Sequence, residues 1–325
     1  FYLERCLGLL GNRRLQTSRL WFLALVLILT VLFAPGMKSQ VPSALRYHET
    51  DEPLVPQAPP VKRHDVYELK ERLRDLGFYA GAINEVYDTE AVEAVKKFQR
   101  SYWLEPNGVV NQHTWKALGI GIVRPLQPAA KEMPKGEIHL EIDTEKAQLT
   151  AFVNGVVWKA YPVAVGKWAT LTPVGEWKII EKGFETGGAF GTRWMALDVP
   201  WGGYGIHGTN RPWSIGTYAS LGCVRMFNED VEELFDLVPI GTRVRIMGYR
   251  PPLDFGRPFG PGTIGPEVVR LQEALREFGF DTGPSDGRYG PRTSEAVQEI
   301  REVFGLGRQE WASKDLFVLL HVEGQ

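Results

Sequence analysis

Apolar side chains recur at the spacing of an α-helix in two separate parts of the chain, residues 65–119 and residues 264–321. Adding 202 to the apolar positions of the first part brings the second part into register without a gap. One constant offset indicates two copies of a single structural unit. Each copy has about 55 residues, enough for three helices around a small core. The aligned pairs include Val66 with Val268, Leu69 with Leu271, Leu73 with Leu275 and Leu118 with Leu320.

Between the two copies, over residues 136–248, the hydrophobic pattern changes to alternation. Residues 138–143 alternate apolar and polar side chains, which is typical of a strand with one buried face. Asn154-Gly155 then provides a strong hairpin-turn signal. The pattern predicts a multidomain fold, with a mainly β domain between two small α-helical (three-helix) domains.

Two stretches of this β domain carry other signals. Helical spacing returns over Glu229–Leu237, and Asn228 is the expected N-cap of that helix. The glycine-rich run Gly183–Gly191 predicts a mobile loop. Because no strand–helix phosphate pattern follows this run, a nucleotide site is not expected there.

The N-terminal part of the chain has the pattern of a membrane-directed segment. Residues 1–19 carry four arginines and one glutamate, and residues 20–34 form an uncharged apolar run. This arrangement predicts a cytoplasmic N-terminus and an exported remainder. As a helix the run would span about 22 Å, which fits a signal anchor in the cytoplasmic membrane or the core of a signal peptide; we expect the anchor. The proline-rich residues 35–64 then predict a linker.

Composition narrows the possible chemistry. The formal net charge is −2, so a nucleic-acid partner is not expected. The six histidines lack ligand spacing with cysteine or acidic residues, so neither a metal site nor another cofactor is predicted.

The candidate catalytic residues lie in one stretch, from Ile206 to Met226. It contains His207 and, sixteen positions later, Cys223. An imidazole that takes a thiol proton is the minimum requirement for a cysteine nucleophile. The other cysteine, Cys6, precedes the apolar run, so the two thiols would lie on opposite sides of a membrane. Cys223 is then a candidate reactive thiol in an exported region, although a small buried residue is the alternative reading.

The residues next to Cys223 favour the hypothesis that it is a catalytic nucleophile. Gly222 allows a tight backbone conformation and the close approach of a substrate. Arg225 would share a face with Cys223 in an extended segment. There it could bind a carboxylate or lower the thiol pKa, or form a structural salt bridge.

The motifs His207-Gly208-Thr209 and Ser220-Leu221-Gly222-Cys223-Val224-Arg225 resemble the two-part signature of the L,D-transpeptidase catalytic domain. The resemblance covers residues 136–248. Leu221 departs from it, since many members have a second histidine at that position.

The helical copies resemble a peptidoglycan-binding domain, and each retains part of its pattern. The second copy has the run Asp286-Gly287-Arg288-Tyr289-Gly290-Pro291, whereas the first retains the segment from Ala94 to Gln99. The resemblance implies that peptidoglycan is the partner of both copies, with the second more diverged.

The resemblance to the transpeptidase implies roles for individual residues. Cys223 would attack a stem peptide after His207 takes its proton, and the resulting thioester would be resolved by the amine of a second stem. Gly222, Gly208, Ser220 and Thr209 are expected to form an oxyanion hole or to position the reacting groups. Substrate binding is expected of Arg225, and of Tyr204 because it is close in sequence to His207.

Other functions remain open at this point. Water as the acceptor would make the protein an L,D-carboxypeptidase, and a protein amine would make it a protein-anchoring transpeptidase. A decayed catalytic domain would leave a non-catalytic wall-binding protein in the bacterial cell envelope. The resemblance also implies that a carbapenem acylates Cys223.

Overall fold

The computed structural model of the protein describes residues 50–125 and 135–322. The predicted membrane anchor, residues 20–34, lies outside these ranges. Within them, no helix is both long and apolar enough to cross a membrane.

The first helical domain contains three helices around one apolar core. Asp88 and Asn111 cap the second and third helices, because their side chains accept hydrogen bonds from the amides of Ala91 and Thr114. The core includes Leu69, Leu73, Val95 and Phe98, all fully buried. The helices are α1 (His64–Asp75), α2 (Thr89–Ser101) and α3 (Gln112–Leu118).

Part of the predicted linker belongs to this domain instead. Leu54 is fully buried in the helical core and pairs with Val110 through two backbone hydrogen bonds. Asp51 accepts a hydrogen bond of 2.6 Å from the amide of Ala189 in the β domain. The expectation of a spacer up to residue 64 is therefore wrong for residues 50–63, because an apolar side chain among the prolines is drawn into the core.

The β domain has one eight-stranded sheet and one two-stranded sheet. The large sheet has the strand order β3-β2-β1-β10-β5-β6-β7-β9, and β4 pairs with β8 in the small one. The elements are β1 (Ile138–Asp143), β2 (Gln148–Val153), β3 (Val156–Pro162), β4 (Val165–Gly166), β5 (Gly175–Gly188), β6 (Gly191–Leu197), β7 (Gly205–His207), β8 (Tyr218–Ser220), β9 (Val224–Arg225), α4 (Asn228–Leu237) and β10 (Arg243–Met247).

The alternating pattern predicted the first strands of this sheet correctly. Leu140 and Ile142 of β1 are fully buried, as are Leu149 and Ala151 of β2. Asn154 and its neighbouring glycine both have positive φ angles, 51° and 77°, as a two-residue hairpin turn requires. The apolar face of the sheet and the buried side of α4 form the core of this domain.

The prediction of a mobile loop over Gly183–Gly191 is wrong. Strand β5 continues to Gly188 and β6 begins at Gly191, so the run is the end of a β-hairpin. Ala189 and Phe190 at its tip are buried. The glycines accommodate irregular pairing between the two strands instead of breaking them, and register shifts occur between Phe184 and Gly188.

The second helical domain repeats the first at the predicted offset. Its helices are α5 (Pro266–Glu277), α6 (Pro291–Val303) and α7 (Lys314–Leu319). The backbone bridge between Lys62 and Val86 in the first copy recurs between Ile264 and Arg288 in the second. The prediction of two three-helix copies on either side of a mainly β domain is confirmed.

Candidate active site

His207 is the last residue of β7, in the interior of the β domain. It pairs with Trp194 of β6 and with Arg225 of β9, and its side chain is fully buried. Its Nδ1 lies 2.6 Å from the carbonyl oxygen of Gly208. Because a carbonyl only accepts, Nδ1–H donates this bond, which makes Nε2 the basic nitrogen of the ring.

Two aromatic side chains hold the imidazole plane. Trp194 stacks on His207 with ring centroids 5.5 Å apart, and Phe190 meets it edge-on at 5.1 Å. Phe190 comes from the tip of the β5–β6 hairpin, which the sequence analysis assigned to a mobile loop. The signal that could have found it is an aromatic residue within a glycine-rich run.

Cys223 immediately precedes β9 and is only 5% exposed. Strands β7 and β9 are parallel, with Ile206 opposite Val224 and His207 opposite Arg225. In this register Cys223 lies opposite Gly205, two residues before His207, so the side chains of Cys223 and His207 are diagonal neighbours on the same face of the two strands. The sulfur lies 4.0 Å from the carbonyl oxygen of Gly203, in the segment between β6 and β7.

The turn before Cys223 depends on a glycine. Gly222 has a φ angle of +115°, and a Cβ atom there would lie 2.7 Å from the ring of Tyr204. A side chain would therefore strain the backbone and overlap with the aromatic ring. Gly222 thus permits the close packing of the predicted substrate-binding residue Tyr204 against the turn.

Ser220 stabilises the same turn from within. Its buried hydroxyl donates a 2.5 Å hydrogen bond to the carbonyl of Cys223 and accepts one of 3.1 Å from the amide of Gly222. The carbonyl of Ser220 accepts from the amide of Lys167. The Gly222 N–H, one of the predicted oxyanion donors, is therefore engaged with Ser220.

Asn228 connects the start of β6 with the segment that follows β7. Its Oδ1 accepts hydrogen bonds from the amides of Thr192 at 3.2 Å and Thr209 at 3.1 Å. A Cβ atom on Gly208 would overlap with this oxygen, which explains why a glycine occupies this position. The prediction of Asn228 as an N-cap is wrong: Phe227 occupies that position, and the Asn228 side chain binds the amides of Thr192 and Thr209.

Arg225 is completely buried and forms an ion pair with Glu68 of helix α1. Its Nη1 donates to one carboxylate oxygen of Glu68 at 2.7 Å, and Nη1 of Arg211 donates to the other at 2.5 Å. The structure therefore places Arg225 in the salt bridge that the sequence analysis gave as an alternative. Glu68 and Arg211 were both missed; one available signal was the break in the repeat, since the position equivalent to Glu68 is Arg270.

The charge of Glu68 is maintained by its partners. Burial alone would raise the pKa of this carboxyl, but the guanidinium groups of Arg211 and Arg225 outweigh that effect and lower the pKa to about 2. Glu68 is therefore ionised at neutral pH, although it is only 5% exposed.

Two grooves lie beside the turn that carries Cys223. The first, about 410 Å³, is lined by Tyr204 and Trp201 and extends to Tyr249. The second, about 980 Å³, separates α1 from the β domain and reaches Ala219. Trp168 lines both grooves and is largely exposed. No cluster of metal-ligating side chains occurs among residues 50–125 and 135–322.

Comparison with known protein families agrees with this architecture. The family model described as YkuD, the L,D-transpeptidase catalytic domain, matches residues 137–246. The model described as "Putative peptidoglycan binding domain" matches residues 62–118 and 264–307. The chain belongs to the L,D-transpeptidase family with the YkuD catalytic domain, and it carries a peptidoglycan-binding domain on each side. Both resemblances recognised in the sequence are confirmed.

Individual relatives match part of this chain. "Putative L,D-transpeptidase YkuD" from Bacillus subtilis (strain 168) is 46% identical over 128 residues, which cover 39% of this chain and 75% of that protein. "Putative L,D-transpeptidase YqjB" from the same organism is 34% identical over 140 residues, covering 38% of this chain and 80% of that protein. Among solved structures, the L,D-transpeptidase from Xylanimonas cellulosilytica DSM 15894 (residues 123–326) is similar, with 27% identity, a TM-score of 0.30, and coverage of 61% of this chain and 100% of that chain.

Proposed function

We propose that this protein is an exported L,D-transpeptidase that cross-links peptidoglycan stem peptides through a thioester on Cys223. The observation that carries the proposal is the parallel register of β7 and β9, under which His207 and Cys223 are diagonal neighbours on the same face of adjacent strands. The hydrogen bond from Nδ1 of His207 to the Gly208 carbonyl supports the assignment of the base. It orients the ring and leaves the proton-accepting role to Nε2.

In the first half-reaction, His207 takes the thiol proton and the sulfur of Cys223 attacks the carbonyl carbon of the third stem residue. The C–N bond to the terminal D-amino acid breaks, and His207 returns the proton to the leaving amine. In the second half-reaction, the side-chain amine of another stem gives a proton to His207 and attacks the thioester carbon. The C–S bond breaks, which restores the thiolate and leaves a cross-link between the two third residues.

We assign the developing oxyanion to backbone N–H groups in the turn around Gly222 and Cys223. Removing one such donor typically lowers the rate by about 10²–10³. For the Gly222 N–H to serve, the hydroxyl of Ser220 must release it, since it accepts that bond here. Ser220 and Thr209 are assigned to positioning, because both form hydrogen bonds within the loops beside the reacting pair.

Of the two roles considered for Arg225, the contacts favour bracing of the loop. Its guanidinium is buried against Glu68, which already supplies a carboxylate. Substrate contacts are assigned instead to Tyr204 and to the groove that it lines. The two flanking domains are assigned to peptidoglycan binding, which would raise the local concentration of the enzyme on its polymer.

The proposal is tested by incubating the full chain with a disaccharide-tetrapeptide and weighing the products, for the wild type, Cys223→Ala and the matched control Cys6→Ala. We expect a dimer that lacks one D-alanine with the wild type and Cys6→Ala, and no dimer with Cys223→Ala. A tripeptide as the only product would instead establish an L,D-carboxypeptidase. Unchanged substrate with the wild type, under conditions in which the protein binds the wall, would favour a non-catalytic binding protein.

A further inference from the structure

We propose that Glu68, contributed by the first helical domain, is a positioning residue of the candidate active site. Its single carboxylate holds in place both the segment that follows His207 and the segment that follows Cys223. The first helical domain would then be part of the catalytic unit as well as a wall-binding module. The catalytic part of this inference rests on the proposed function.

The carboxylate of Glu68 is divided between two segments. Arg211 lies four residues after His207, and Arg225 lies two residues after Cys223. Each arginine donates to a different oxygen of Glu68, at 2.5 Å and 2.7 Å. Charge-assisted hydrogen bonds of this length are the stronger kind, so one side chain links both arms of the site.

Neither arginine can leave this carboxylate without a cost in free energy. Arg211 is 2% exposed and Arg225 is fully buried. Removing one partner from a buried ion pair leaves the other charge without compensation, which strongly disfavours the original arrangement. The segments that carry these arginines are therefore coupled to the presence of Glu68.

Backbone hydrogen bonds connect Arg225 to the reacting pair. The Arg225 N–H donates to the carbonyl of Ala164 and its own carbonyl accepts from Ala164, while the next amide, that of Met226, donates to the carbonyl of His207. A shift of Arg225 would therefore displace β9 relative to β7. Cys223 is two residues upstream on the same short segment and would move with it.

Arg211 is attached both to its own loop and to the first helical domain. Its amide donates to the hydroxyl of Thr209, and its carbonyl accepts from the hydroxyl of Ser214. Its guanidinium also lies over the ring of Trp115, 4.7 Å from the centroid, in the first helical domain. The loop after His207 is thus attached to the first helical domain by two contacts of Arg211, the ion pair with Glu68 and the cation–π contact with Trp115.

The repeat shows that this role is specific to the first copy. The position equivalent to Glu68 in the second copy is Arg270, which pairs with Glu277 of its own helix. A charged residue required by the three-helix fold itself would be expected in both copies. Glu68 instead forms ion pairs with two arginines of the β domain, Arg211 and Arg225.

The test compares the full chain as wild type, Glu68→Gln, Glu68→Asp and the control Glu93→Gln. Glu93 is an exposed carboxylate of the same domain that pairs with Lys96. For the reaction with a disaccharide-tetrapeptide, we expect Glu68→Gln to lower kcat on the order of 10²-fold with little change in KM, because misplacement of catalytic groups acts on the chemical step. Glu68→Asp, which keeps the charge, should recover part of this loss, and Glu93→Gln should match the wild type.

A second measurement does not depend on the reaction. Hydrogen exchange followed by mass spectrometry should show faster exchange of residues 207–214 and 220–226 in Glu68→Gln, with α2 and α3 unchanged. Faster exchange in both segments supports the proposal even if the wild type forms no product, an outcome that would count only against the proposed function. Wild-type exchange in Glu68→Gln would overturn it, as would a loss of kcat no larger than the unfolded fraction of the variant. If Glu68→Gln does not fold, the same comparison is made with Glu68→Asp.

Discussion

At the scale of single residues, the turn before Cys223 is defined by conformational constraints. Gly222 has a positive φ angle, and the ring of Tyr204 occupies the space that a side chain at this position would need. Gly208 is required for a different reason, since Oδ1 of Asn228 lies where its Cβ would be. The glycines of the motif thus serve packing at two separate contacts.

The substitution Gly222→Ala tests this account. We expect acylation of Cys223 by a carbapenem to slow on the order of 10²-fold, because the turn must shift away from Tyr204. The control is Gly241→Ala, which also has a positive φ angle, +91°, but no atom within 4 Å of its would-be Cβ. Intact-mass kinetics with equal acylation rates for both variants would contradict the explanation.

The ionised state of Glu68 predicts a pH dependence of stability. Its pKa in the folded protein, about 2, is below the ordinary value of 4.5, so its contribution is fully present above about pH 4.5 and is lost as the pH falls toward 2. The contribution is about 3 kcal/mol, since one pKa unit corresponds to about 1.4 kcal/mol.

Urea unfolding of the wild type and Glu68→Gln at pH 7, 5, 4 and 3 measures this contribution. We expect the wild type to be more stable at pH 7 and 5, and the difference in free energy of unfolding to narrow at pH 4 and 3. A difference that stays constant down to pH 3 would mean that the lowered pKa of Glu68 is not the cause of the higher stability of the wild type.

At the scale of secondary structure, the site is assembled where several short elements end. Helix α4 begins at Asn228, whose side chain binds the amides of Thr192 and Thr209 instead of capping its own helix. The β5–β6 hairpin brings Phe190 onto the imidazole. These contacts attach the His207 segment to the rest of the β domain.

We expect Asn228→Ala to destabilise the protein by about 2–3 kcal/mol, because the amides of Thr192 and Thr209 lose their acceptor. Asn228→Asp keeps an oxygen at this position and should retain most of the stability. Thermal unfolding of the two variants, with carbapenem acylation of Cys223 measured in parallel, makes the comparison. Equal destabilisation by both substitutions would show that the acceptor oxygen is not what matters.

At the scale of the whole molecule, both helical domains contact the β domain through the same turn of their repeat. In the second copy, Arg288 donates to the carbonyl of Asp198 at 2.6 Å, and a Cβ atom on Gly287 would lie 2.5 Å from the ring of Trp201. In the first copy, the equivalent of Gly287 is Glu85, 3.9 Å from Lys167. The segment held by the second copy, residues 198–204, includes the carbonyl of Gly203 beside the sulfur of Cys223.

We therefore expect Arg288→Ala to weaken the attachment of residues 198–204, which lie beside Cys223. The alkylation of Cys223 by iodoacetamide should then increase several-fold. The control is Arg292→Ala, which removes an exposed ion pair with Asp281 in the same domain. Peptide mass spectrometry distinguishes Cys223 from Cys6. Equal alkylation of the two variants would indicate that the second helical domain does not hold this segment.

Much of the molecule could be predicted from local patterns, and the failures have identifiable causes. The helical repeat and the first hairpin were predicted correctly, because their periodicity reports burial on one face. The run Gly183–Gly191 was misassigned, because glycine in an irregular hairpin has the same composition as glycine in a loop. Asn228 was misassigned because an asparagine before a helix can bind any nearby amide, and the sequence does not show which amides are near.

The sequence by itself determined the family, the repeat and the pair of residues proposed to react, since motif, offset and spacing can all be read along one chain. Only the tertiary structure decided what holds that pair. Arg211 and Arg225 meet Glu68 across 143 and 157 residues of sequence. Contacts of this separation leave no trace in local periodicity, because they depend on which faces of two independently patterned domains pack together. The charge of Glu68 and the burial of Cys223 follow from that packing.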